Sequence, residues 1–379
     1  MKNGFRCRLV SAVCALALLA ALLPTAAFAA EPDTAAAPQT LTAAQVQDMQ
    51  QADTAVTALT GSDDYAGMTQ AQRTDAALDQ LEQLVDEGLV AKGSIYADEE
   101  NGMVSFAYTC GALGGILTDL DEENDTVAFP SGEALDRLAA DASGNGTLGS
   151  AAIYYAYMQT YWTSQGLDTT LNTRVTLSDL RRMGRYDVCV LSTHGAYYTY
   201  EYGWLWKKTA TEPLILLTEQ SNFWSDFRYG LDLLSHRVVK INGMYAATGA
   251  FFRSAYRGSG IVLSETCEFY GKNGHVDTSI ADGLLAGGAK AVAGYVNNVY
   301  SVYSRSMLWD MVNRMIAGDT LEQAAEDAKE TYGTDDIIWY SSQGGRRPHA
   351  AASYLMLSGD HTVRLPGAPA AAPAEQQAA

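Results

Sequence analysis

Cysteine is scarce, with five residues in 379. Two of these, Cys7 and Cys14, lie at the extreme start, which leaves Cys110, Cys189 and Cys267. So few thiols in so long a chain exclude a disulfide-dense scaffold. An odd count in a chain expected to be exported leaves at least one thiol outside any bridge. Basic residues are also few, 25 against 44 acidic, for a formal net charge of −19. That balance repels nucleic acid and anionic membranes. It suits solubility, or a cationic substrate. His236, His275, His349 and His361 show no zinc-ligand spacing, so a metal centre is not expected. After the first apolar run, no other is long enough to span a bilayer.

That first run belongs to a leader. Lys2, Arg6 and Arg8 precede the apolar stretch Leu9–Leu23, which is followed by Pro24 and the small residues Ala26, Ala27, Ala29 and Ala30. The pattern is a secretory signal with a small-residue cleavage site, here residues 1–30. It implies a secreted or cell-surface protein with no membrane span after signal removal. Cys14 sits inside the run behind Val13, a poor match to a lipoprotein site. The leader holds three basic and no acidic residues, so the remainder carries 22 basic against 44 acidic.

Residues 31–66 are rich in Ala, Thr and Gln with weak periodicity, and read as a flexible or partly helical lead. Residues 67–148 read as a small α+β unit. Thr69 and Gln72 form a capping box for a helix with Ala77, Leu78, Leu81, Leu84 and Val85 on one face. Asn101-Gly102 then marks a hairpin, and Val104, Phe106, Tyr108 and Cys110 alternate along its second strand. The acidic run Asp119–Asp125 lacks the EF-hand spacing. A solvated turn is the better reading, with calcium as the alternative. From 149 to 365, strands alternate with helices. Tyr186–Ser192, Val238–Ile241, Ile261–Thr266, Lys290–Tyr295 and Tyr354–Leu357 are strand-like, and helices start at Thr176, Asp277 or Thr278, and Thr320. This predicts an α/β fold with a mainly parallel sheet covered by helices on both faces. The Pro/Ala/Gln-rich stretch 366–379 reads as a disordered tail.

Two of those strands end on reactive side chains. Asp187–Ser192 runs into Thr193-His194-Gly195, and Ile261–Thr266 runs into Cys267. Sites in open α/β sheets form at the carboxyl ends of strands. If the two strands are neighbours, His194 and Cys267 share one edge. A thiolate is a good nucleophile, and an imidazole helps form it or protonates the leaving amine. Gly195, without a side chain, leaves its N–H open to an oxyanion. Taken singly, each feature has a plainer reading. A cysteine after an apolar strand is usually core, as expected for Cys189, and His-Gly is often only a turn. Tyr197, Tyr198, Tyr200, Tyr202 and Trp204 either line a groove or pack beneath a loop.

Val190-Leu191-Ser192-Thr193-His194-Gly195 and Val262-Leu263-Ser264-Glu265-Thr266-Cys267 resemble the two blocks of caspase-like (clan CD) cysteine peptidases. The likeness is greatest to the clostripain-like and gingipain-like group. Gly288–Gly294 and Tyr354–Asp360 are similar to later strands of that group. The resemblance spans about 150–365. It implies a secreted endopeptidase with a His194–Cys267 dyad, oxyanion donors at Gly195 and Cys267, and no required cofactor. Glu265 holds the position of an Asp that binds a basic P1 side chain in the clostripain-like group, which implies Arg or Lys at P1 of a peptide or protein substrate. Asn297 and Tyr295 are expected on the pocket wall. The alternative is a non-catalytic surface or binding module on a caspase- or CHAT-like scaffold. A thiol hydrolase or transpeptidase would share the acyl-enzyme step.

Overall fold

The computed structural model describes residues 40–119, 150–202, 207–272, 274–342 and 349–368. The expected signal, the acidic run past Asp119 and the tail past 368 lie outside these. The strands run β1 (Tyr96–Asp98), β2 (Met103–Ala107), β3 (Leu113–Leu117), β4 (Val188–Leu191), β5 (Gly195–Tyr202), β6 (Lys208–Gln220) and β7 (Val238–Ile241). They continue with β8 (Met244–Ala247), β9 (Ile261–Ser264), β10 (Gly271–Lys272), β11 (His275–Val276), β12 (Ala291–Val296) and β13 (Tyr354–Gly359). The fold is mixed α/β.

A four-stranded sheet has the order β13-β12-β9-β4. Its β4, β9 and β12 are parallel, and β13 closes the edge antiparallel. Because side chains alternate along a strand, β9 and β12 feed two cores. Val262, Val292 and Val296 pack with Phe251, Phe252, Ile280 and Leu284, from helices Gly249–Ala255 and Ser279–Ala286. Ile261, Leu263, Ala291, Ala293 and Tyr295 pack instead with Met307, Met311, Met315, Ala324 and Ala328, from helices Ser301–Ala317 and Leu321–Tyr332. This sheet is covered by helices on both faces, as parallel strands require.

A seven-stranded sheet takes the order β1-β2-β3-β7-β8-β6-β5. Only β3 and β7 pair parallel there; the other pairings are antiparallel. The expected mainly parallel sheet covered on both faces is thus the four-stranded one, and the expectation does not extend to the seven-stranded sheet. Parallel pairing dominates the four-stranded sheet, while hairpins build the larger one. One hairpin turns on Asn242-Gly243, both in the left-handed region at φ 50° and 76°, as a two-residue turn of this kind demands. The β3–β7 pairing also crosses the boundary drawn at 148/149, so β1–β3 belong to the same sheet as β5–β8 and are no separate unit. The helix begun at Thr176 runs only over Leu177–Leu180, and a 3-10 turn follows at Met183–Arg185.

Residues 43–60 take the helical of the two forms expected for the lead. Thr42 and Gln45 form a capping box for a helix over Ala43–Thr60. Its Val46, Met49, Ala52 and Val56 are buried, and each large apolar side chain so placed contributes about 1.5–3 kcal/mol. Asp53 on the same helix reaches a polar knot in the core. Lys240 of β7 is fully buried and pairs with Asp53 and Asp226. Tyr108 donates to Asp53, and the Tyr245 hydroxyl donates to Asp226 Oδ1 at 2.7 Å. Burial pushes both phenols well above their ordinary range, so they remain donors. The knot ties the first helix to the larger sheet. Lys240→Ala leaves two buried carboxylates facing each other without a cation, and should lower stability by about 3–5 kcal/mol in urea titration.

Candidate active site

The two strands that carry the reactive residues are direct neighbours. Strands β4 and β9 pair parallel, with Val188 opposite Ile261 and Leu191 opposite Ser264. The ladder extends one step further, with Glu265 N–H donating to the Leu191 carbonyl at 2.9 Å. Three residues beyond the Leu191–Ser264 pair stand His194 on one chain segment and Cys267 on the other. Both therefore leave the same edge of the same sheet, at its carboxyl end.

The next residue shows how close the two segments come. A Cβ added to Gly195 would lie 1.9 Å from the Cys267 carbonyl oxygen and 2.6 Å from Thr266 Cγ2. Only glycine fits there. Gly195 also opens β5, so Ser192, Thr193 and His194 carry the chain from one sheet into the other. This crossing is pinned by Leu216 of β6. Its N–H donates to the His194 carbonyl at 2.9 Å, and its own carbonyl accepts from the Thr193 hydroxyl. A bond flanking the Gly195–Ile215 pair marks that pair as the non-hydrogen-bonded kind. The Gly195 N–H therefore points away from β6. The His194 side chain is exposed, and its imidazole makes no hydrogen bond among the described residues.

Cys267 is half-buried and, like Cys110 and Cys189, not in a disulfide. The Val299 N–H donates to its sulfur at 3.4 Å, and the Val299 carbonyl lies 3.8 Å away. The following turn is laced to the end of β12. Glu268 N–H donates to the Asn297 carbonyl, and Asn297 N–H to the Gly271 carbonyl, both at 2.8 Å. Glu268 and Asn297 sit at φ 56° and 64°, an uncommon region for side-chain-bearing residues. Glu268 is buried beside Lys272 at 2.9 Å, and burial raises its carboxyl above the usual range. Burial pushes Cys189 up to about 12 and also raises Cys110, so neither forms a thiolate readily.

The expected substrate-binding residues are placed less simply. Glu265 is buried, and its Oε2 accepts from the Tyr155 hydroxyl, which lies 2.5 Å from Ser192 Oγ. Burial first, then the Glu265 charge, lifts the Tyr155 phenol well above its ordinary range. Tyr295 is corrected as a wall residue, being 2 % exposed with its ring against Tyr303 at 6.2 Å. Asn297 is likewise buried, and its side-chain amide donates to the Ala352 carbonyl at 2.9 Å. It braces a turn instead of facing solvent. Tyr198 of the aromatic run is a core residue, donating to the Gly114 carbonyl at 2.9 Å. Trp204 lies outside the described residues. Sequence reasoning missed Tyr155, Thr193, Leu216 and Val299. The last two act through main-chain groups, which leave no compositional signal.

Among the described residues, no three His, Cys, Asp or Glu side chains gather as they would around a metal ion. No described helix is long and apolar enough to cross a membrane. Compared with protein-family models, with curated proteins and with solved structures, the chain matches none.

Gly195→Ala should displace the Cys267 turn and destabilise the protein by about 1–3 kcal/mol. Gly67→Ala, where nothing lies within 4 Å of the added carbon, should be near neutral. Paired urea titrations of the two variants check this.

Proposed function

We propose that the chain is a secreted cysteine endopeptidase of the caspase-like type, with His194 and Cys267 as its catalytic pair. The observation that carries this reading is the in-register parallel pairing of β4 with β9, which delivers an imidazole and a thiol to one sheet edge. The close approach of Gly195 to the Cys267 carbonyl supports it. In the proposed cycle the Cys267 thiolate attacks the scissile carbonyl carbon. The electron pair of the C=O moves to oxygen, where the outward Gly195 N–H and the Cys267 N–H are the proposed donors. His194 then gives a proton to the departing amine as the C–N bond breaks. Water cleaves the thioester and returns the thiol. None of these steps needs a metal or cofactor.

For substrate choice, the proposed P1 residue is Arg or Lys. Glu265 lies two positions before the nucleophile, and a carboxylate there is a strong partner for a guanidinium. One observation favours the second reading, a non-catalytic binding module on the same scaffold. The Glu265 carboxylate already accepts from Tyr155 inside the protein, so a basic side chain must compete with that phenol.

One experiment separates the readings. The purified chain is offered reporters with Arg, Lys or neutral P1 residues, before and after alkylation. Cys267→Ala should lose at least about 1,000-fold in kcat/KM, on the scale of losing a nucleophile, while Cys189→Ala cleaves normally. Equal cleavage by both variants sinks the dyad. No cleavage of any peptide by the unaltered chain moves the assignment to the binding module. The export proposal is checked separately: mass spectrometry of the protein from its host should give an N-terminus near residue 31.

A further inference from the structure

The segment behind the sulfur is built more firmly than a connecting loop needs to be. It leaves β12 at Val296, passes Asn297 and Val299, and enters helix Ser301–Ala317 at Tyr300. Beneath it lies Asp336, fully buried at the start of another helix. Asp336 Oδ2 accepts the Tyr300 N–H at 3.1 Å, and Oδ1 accepts the Ser353 N–H at 2.9 Å. The Ser353 hydroxyl in turn donates to the Val296 carbonyl at 2.7 Å. The turn is therefore held at both ends, Val296 and Tyr300, by one buried Asp–Ser pair. Between those ends, the Val299 N–H donates to Cys267 Sγ at 3.4 Å.

From this geometry we infer that the 296–300 turn, braced by Asp336 and Ser353, is a positioning device that holds the Val299 N–H on the Cys267 sulfur and stabilises the thiolate without help from His194. The inference rests on Cys267 being the nucleophile. When the S–H bond breaks, the proton passes to solvent base and the electron pair stays on sulfur, facing an N–H donor. A hydrogen bond to an ionised acceptor is roughly twice as strong as a neutral one, so the contact favours the charged form. The Val299 carbonyl opposes it, but from 3.8 Å and thus more weakly. The exposed imidazole of His194 is left for proton delivery to the leaving group. Charged groups near the sulfur include Glu265 two positions before it, Glu268 next to it and paired with Lys272, and the buried Arg305 of helix Ser301–Ala317, whose charge acts on the Tyr155 phenol beside Glu265. Asp336 and His349, 3.6 Å apart, lie under the turn, with Asp335 close by. Ser353 carries no charge, so changing it alters the brace without altering this field.

The test reads alkylation rather than peptide cleavage, so it stands even if no peptide is cut. Full-length Cys189→Ala protein, and the same protein with His194→Ala, Ser353→Ala or Ser353→Thr, is alkylated with iodoacetamide from pH 5 to pH 10. Modification of Cys267 is followed by mass spectrometry. The His194→Ala midpoint should stay within about half a unit of the parent. Ser353→Ala should move the midpoint up by about half to one unit, which makes alkylation about 3–10-fold slower at neutral pH, with the same plateau at high pH. Ser353→Thr, which keeps the hydroxyl, should restore the parent profile. A rise of one unit or more in His194→Ala would show that the imidazolium sets the thiolate, and a Ser353→Ala profile unchanged from the parent would remove the brace; either overturns the inference. Should Ser353→Ala fail to fold, the Val299 amide resonance of the parent decides: it should titrate with the Cys267 midpoint, and a Val299 shift independent of that midpoint overturns the assignment.

Discussion

Parallel pairing between β4 and β9 is the constraint on which the candidate site depends. Parallel strands cannot be joined by a tight turn, so the residues between them must go elsewhere and return. Here the chain leaves β4, builds β5 to β8 of the other sheet, crosses a helix and comes back as β9. The excursion leaves at the carboxyl edge of the sheet and re-enters at the amino edge, so the carboxyl ends of both strands lie side by side, and each leads to a reactive side chain. Register matters as much as adjacency. A slip of one residue would turn every side chain of one strand to the opposite face. It would separate Gly195 from the Cys267 carbonyl, whose approach leaves no room for even one added carbon.

Each of the two segments is then secured by a different neighbour. The His194 segment bridges two sheets and borrows both main-chain groups of Leu216, so its position depends on β6. The Cys267 segment depends on the end of β12, through the Asn297 lacing and the Val299 contact. Left-handed conformations at Glu268 and Asn297 each cost of order 1 kcal/mol or more, and such strain persists only where surrounding contacts over-determine it. That strain falls on both sides of the thiol turn, and the Glu268–Asn297 and Asn297–Gly271 main-chain hydrogen bonds keep it in place.

Much of this arrangement was legible in the sequence because it is written in side chains. Strand β9 is four apolar or small residues leading to Cys267, and β4 leads likewise to His194. The capping box expected at Thr69 forms, and helices start at Thr176 and Thr320 as expected. What was not legible has a common cause. The helix Ala43–Thr60 looked weak because its periodic face is narrow and broken by Asp53, yet that Asp is the residue that meets Lys240 in the core. Strands β1–β3 looked like a separate unit because their link to β7 is a main-chain pairing with no local signature. Tyr295 and Asn297 were expected on a pocket wall from their position at and just past the end of a strand. Whether a strand end faces solvent or the underside of a helix is decided by the helix that packs there, Ser301–Ala317.

On the proposed peptidase reading, the same framework limits substrate choice at Glu265. Its position two residues before Cys267 puts it on the cysteine side of the strand, but burial removes it from water, and a buried carboxylate must be hydrogen-bonded. Tyr155 meets that need from helix Ser150–Ser164. A cationic side chain that reached Glu265 would bring a stronger, charge-assisted bond than the phenol supplies, and would need the helix or the Tyr155 rotamer to give way. The carboxylate's affinity for a basic residue and the phenol's occupation of it therefore oppose each other at one oxygen. In the proposed peptidase, specificity at this position is a competition between a guest cation and the resident Tyr155 hydroxyl.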